Sequence, residues 1–156
     1  MGVIQGMSNE IYHSQSGVSS TTVKTVYKKS LAHWKGAKRS QTSAFALGSA
    51  YHANCLEPER NLVVKGPKTR SSKAFKEMEE NLEEDQILVT EVEYHVAKRM
   101  AEGTMRHPAS RAALEHPDRM NEVAIFAKCP RTGLLLKTKP DSMSNGIVYD
   151  LKSTID

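Results

Sequence analysis

The sequence predicts an α/β fold of the α+β kind, with helices first and an antiparallel strand meander after them. Three observations carry that prediction. Up to about residue 115, apolar residues recur at helical spacing behind Ser and Thr caps. From Asn121 the period changes to alternation, the mark of half-buried strands. Near the end, Asn145-Gly146 sits between two short apolar runs, the strongest short-range hairpin signal.

Met1 to Met7 has no periodicity and is expected to be a poorly ordered lead. Ser8 to Tyr12 can form a single helical turn. Ser20 caps a predicted helix from Thr21 to Lys29, and Ser30 caps Leu31 to Lys35. Lys35, Lys38 and Arg39 surround the sole tryptophan, Trp34. Basic side chains beside an aromatic suit DNA backbone contact, and a core tryptophan with a solvated basic edge accounts for them equally well. Ser43 to Glu57 reads as a mostly buried helix stopped by Pro58, with Phe45, Gly48, His52 and Cys55 on one face. A helix-interior glycine costs about 1 kcal/mol against alanine, so Gly48 is expected to permit close packing. His52 is either a core histidine satisfied by hydrogen bonds or a metal or phosphate ligand.

Leu62 to Val64 is a short strand, followed by a basic loop that carries Lys68 and Arg70. Ser72 caps a helix from Lys73 to Asn81, and Ile87 to Val89 is extended. Thr90 and Glu93 form a capping box for a helix reaching Met105, with Val92, Val96, Met100 and Met105 toward the core. Arg111 to Glu115 is a last short helix. Then Asn121 to Ala127, Leu134 to Lys139 and Ile147 to Lys152 read as a three-stranded antiparallel meander.

The chain has 156 residues, enough for one domain spanning 1–156 with a real core. Its 38% hydrophobic and 26% charged content excludes a disordered chain. No apolar run approaches membrane-spanning length, and no signal-peptide core opens the chain. Cys55 and Cys129 stand far apart without paired spacing, which argues against a zinc site or disulfide framework and for a reduced, cytoplasmic protein. The net charge of +4 is compatible with nucleic acid.

The chemistry concentrates in the last strands. Asp141 follows Pro140, and Asp150-Leu151-Lys152 comes nine positions later. On a strand, Asp150 and Lys152 share one face. Two aspartates are hard oxygen ligands suited to Mg²⁺, which lowers the pKa of bound water and stabilises charge on a phosphate. A lysine beside them can hold the attacking water or offset transition-state charge. An isolated Asp-x-Lys on a surface hairpin would carry none of this meaning.

Taken with upstream motifs, Pro140-Asp141 and Asp150-Leu151-Lys152 resemble the PD-(D/E)xK nucleases. Leu47-Gly48-Ser49-Ala50-Tyr51-His52 with Leu56-Glu57-Pro58 resembles the Gly-x-x-x-His helix of the branch holding lambda exonuclease and the RecB nuclease domain. Met7 to His13, Gly17 to Thr21, Ser30 to Trp34, Glu122 to Phe126 and Thr132 to Leu135 are similar to the phage and prophage exodeoxyribonuclease VIII (RecE) C-terminal domain. The resemblance implies a restriction-endonuclease-like core. It implies that Asp141, Asp150 and His52 bind Mg²⁺, with Mn²⁺ as a substitute, and that Lys152 orients water. Glu122 is the additional metal-site candidate. It further implies digestion of one strand of linear duplex DNA, 5′ to 3′, a 3′ overhang for a single-strand annealing recombinase, and a ring-like homo-oligomer. The family pattern continues into a helix bearing Gln-x-x-x-Tyr and further strands. The chain ends at Asp156, so the resemblance implies a C-terminally truncated domain, and a catalytically silent DNA- or protein-binding fragment is the alternative.

Overall fold

The computed structural model describes residues 2–37 and 43–153. The chain begins with β1 (Gly2–Ile4), α1 (Asn9–Ser14), α2 (Ser20–Lys28), α3 (Leu31–Gly36) and α4 (Ser43–Leu56). After a 3₁₀ turn at Pro58–Arg60 come β2 (Val63–Lys65), α5 (Lys73–Glu80), β3 (Ile87–Val89), α6 (Glu91–Arg106) and α7 (Pro108–Leu114). The strands β4 (Met120–Asn121), β5 (Ala124–Lys128), β6 (Leu135–Thr138), β7 (Ser142–Ser144) and β8 (Ile147–Tyr149) complete it. The mixed α/β class is as predicted, and the residues fall into two compact units.

The first unit holds residues up to 37 together with 120–150. It contains two antiparallel sheets, ordered β1-β5-β6 and β4-β7-β8, rather than the single meander expected. The reason lies at Glu122, whose φ of 47° is left-handed and breaks the strand between β4 and β5. The lead segment is also corrected: Gly2–Ile4 pairs antiparallel with Ala124–Phe126. Ser8, Ser19 and Ser30 cap their helices by accepting from the N–H of Ile11, Thr22 and His33. Trp34 is 39% exposed, so it is not a core tryptophan.

The second unit holds residues 43–119 and 151–153. Its core is α4 against α6, with Ala50, Tyr51, Cys55 and Leu56 meeting Ala97, Ala101, Val89 and Leu114. Small alanines let the two helices approach, and the Tyr51 hydroxyl lies 2.8 Å from that of Thr104. Val92, expected inside, is 63% exposed, and Phe45 is 61% exposed. The buried stripe of α6 runs through Ala97 and Ala101, with Met100 and Met105 packed against the core as expected. The capping box of Thr90 and Glu93 forms as predicted. Parallel β2 and β3 are bridged by α5, which Ser72 caps and which buries Phe75. Gly66 is closely packed there: an added Cβ would lie 3.0 Å from the Val89 carbonyl oxygen and from the Leu88 side chain. Among the described residues no helix is long and apolar enough to cross a membrane.

Candidate functional site

The predicted hairpin exists, with shifted strands. Asn145 and Gly146 both take positive φ, 49° and 75°, the two-residue turn that matches strand twist. The strands it joins are β7 and β8, with Ser142 opposite Tyr149. The run Leu135–Thr138 pairs with β5, as the meander has it, but not with β8. Asp141 therefore stands just before β7 rather than at the end of β6. Its position is fixed from both sides. The Glu122 N–H donates to the Asp141 carbonyl at 3.0 Å. Next to it, buried Ser142 donates through its hydroxyl to Asn121 Oδ1 at 2.8 Å. The Asp141 residue is half-buried and borders a cleft of about 750 Å³ within the first unit.

The same cleft is lined by Glu122, Lys137, Lys139, Trp34 and the hydroxyl residues that open α2. Lys137 Nζ donates to the carbonyls of Tyr12, His13 and Gln15, at 3.0, 3.4 and 2.6 Å. A cation there sits at the negative C-terminal end of α1. Lys139 Nζ donates to Glu122 Oε2 at 3.0 Å and to Asn9 Oδ1 at 2.8 Å, and its side chain is only 8% exposed. Neither lysine was singled out in the sequence. The available signal was Lys137-Thr138-Lys139 itself, two charges at alternate positions of an apolar strand.

Asp150 follows β8, which stops at Tyr149, and is exposed. The expectation that Asp150 and Lys152 share a strand face is corrected accordingly, since neither lies in a strand. Asp150 belongs to the first unit, whereas Leu151 and Lys152 belong to the second. Within that second unit His52, on α4, places Nε2 3.0 Å from the Leu151 carbonyl oxygen. A carbonyl only accepts, so Nε2 carries the proton, and in the neutral ring the lone pair is on Nδ1. Histidines that bind metals are commonly oriented in this way by a backbone carbonyl. One turn earlier, a Cβ on Gly48 would lie 3.7 Å from Ser153 Oγ, an ordinary contact that does not by itself demand glycine.

Of the basic candidates, Lys35 and Lys68 are exposed. Arg70 is half-buried, paired with Glu93 at 2.6 Å, and lies over the Phe75 ring. Lys38 and Arg39 lie outside the described residues. Among the described residues no three His, Cys, Asp or Glu side chains gather closely enough to hold a metal ion. The carboxylates and imidazole are nonetheless the donor types that divalent metals take.

A family model described as a PDDEXK-like domain of unknown function (DUF3799) covers residues 19–156. No curated protein matches the chain.

Proposed function

The chain belongs to that family of PDDEXK-like domains, and from this premise we propose that it is a Mg²⁺-dependent exodeoxyribonuclease acting on linear duplex DNA. The PDDEXK-like assignment points to nuclease-type hydrolysis in general. The finer reading is that one strand is shortened 5′ to 3′, leaving a 3′ overhang for a single-strand annealing recombinase. A homo-oligomeric ring and a cytoplasmic setting go with that reading.

The observation that carries it is the contact of His52 with the Leu151 carbonyl. It ties the unexpected helix histidine to the middle of Asp150-Leu151-Lys152. Asp141, Asp150 and His52 would hold the ion, Mg²⁺ or Mn²⁺. When bound, the ion would acidify a water and stabilise charge on the scissile phosphate. The Leu151 carbonyl keeps His52 in one tautomer. Lys152 holds the attacking water and offsets charge in the transition state. The exposed Lys35 and Lys68 contact backbone phosphates, a sequence-independent and salt-dependent attraction.

A catalytically silent DNA- or protein-binding module is the second reading, favoured by the lack of a three-residue ligand cluster among the described residues. Linear duplex labelled at the 5′ or 3′ end separates the two. With Mg²⁺, the parent protein should shorten one strand from its 5′ end, spare covalently closed circles, and stop in chelator or as Asp150→Asn. DNA binding without any cleavage would establish the silent module.

A further inference from the structure

Two oxygens from separate elements converge on one point beside Asp141, and a cation of the protein's own fills it. Asn9 Oδ1, at the start of α1, and Glu122 Oε2, between β4 and β5, lie 2.8 and 3.0 Å from Lys139 Nζ. Both are hard oxygen donors of the kind that bind Mg²⁺, Mn²⁺ and Ca²⁺. Lys139 is 8% exposed, and a buried ammonium persists only when paired. Glu122 holds a left-handed backbone, φ 47°, a conformation that surrounding structure must enforce. Part of that enforcement is its N–H bond to the Asp141 carbonyl. The ammonium position is thus fastened by backbone to a candidate metal ligand.

We propose that Lys139 is a resident cation in a latent divalent-metal position, and that it withholds Glu122 from metal binding. Glu122 then acts as a positioning residue for Asp141, and not as the additional ligand that the family likeness suggests. The functional meaning rests on the nuclease reading: Lys139 fixes how many ions gather beside Asp141. The geometry of the latent position does not depend on it.

Mn²⁺ titration without DNA tests this on the full chain. Lys139→Met keeps the length of the stem and removes the charge, so it should take up one more Mn²⁺ per chain than the parent. Adding Glu122→Gln to that variant should remove the extra ion. A merely structural ion pair would give no such gain, and an unchanged stoichiometry in Lys139→Met overturns the proposal. If Lys139→Met unfolds in chelator, its melting curve carries the test. A Mn²⁺-dependent rise larger than the parent's supports the proposal, and an equal or smaller one overturns it. Failure of the nuclease reading looks different: the parent binds no Mn²⁺ and cuts no DNA, whatever Lys139→Met does.

Discussion

Cys55 and Cys129 differ in what surrounds the sulfur. Cys55 is packed into the α4–α6 core, and burial pushes its thiol up to about 11 despite hydrogen bonds from Tyr51 and Thr104. Cys129 sits in the turn between β5 and β6, where the Thr132 hydroxyl and then the N–H groups of Thr132 and Arg131 hold its thiol below the ordinary value. The thiolate is the reactive form, so the two should label at very different rates. At pH 8, a disulfide reagent such as DTNB should modify one thiol rapidly, and Cys129→Ser, not Cys55→Ser, should abolish that phase. Equal rates for both would mean that the core of the second unit opens during labelling. The same scale explains Lys139: a lone lysine in a sequence carries no sign of its partner, because Asn9 and Glu122 are 130 and 17 residues away.

The start of α6 shows how much one element depends on a single carboxylate. Glu93 Oε2 accepts from the Thr90 N–H at 2.8 Å, the Thr90 hydroxyl at 3.0 Å and Arg70 at 2.6 Å. Burial acts to raise its pKa, but the Thr90 bonds and Arg70 outweigh it and hold it below the ordinary 4.5. A lowered folded pKa means stability that is present above the unfolded value and lost as pH falls through the folded one. The advantage of the parent over Glu93→Gln in urea midpoint should therefore be full at neutral pH and shrink below about pH 4.5. A gap independent of pH would show that the charge contributes nothing. Thr90→Ala should cost about 1 kcal/mol, the usual worth of an N-cap. This cap, like those at Ser72 and Ser30, was legible because cap and partner lie three residues apart. The strand pairings were legible only in part. Alternation tells which face a residue takes but not which strand lies beside it. So the β5–β6 pairing of the meander forms as read, but β6 does not go on to pair with the strand after Asn145-Gly146, whose partner is β7, and three-residue β1 was too short to show any period. The Asn145-Gly146 turn survived because its geometry is entirely local.

On the scale of the whole molecule, the family match runs from 19 to 156 and so takes in residues of both units. The four motif residues were legible because they sit in fixed spacings: Gly48 to His52 along one helical turn, Asp141 to Asp150 across one hairpin. Lys152 offers the sharpest test of whether that legible pattern is also a working one. It is exposed, follows the Leu151 carbonyl that accepts from His52, and as an ammonium cannot ligate a divalent cation. Its contribution should fall on the chemical step and not on ground-state binding. An interaction made only in the transition state lowers the rate and leaves substrate affinity alone. Lys152→Ala should therefore bind duplex DNA and Mn²⁺ like the parent while single-turnover cleavage slows by roughly 10²–10³, the scale of a lost electrostatic stabiliser. Asp150→Ala should behave differently, losing Mn²⁺ affinity and cleavage together. Lys152→Met separates charge from side-chain length: it should be as slow as Lys152→Ala, whereas Lys152→Arg, which keeps the charge, should recover part of the rate. Cleavage by Lys152→Ala at the parent rate would reduce this lysine to a surface charge and remove it from the proposed chemistry.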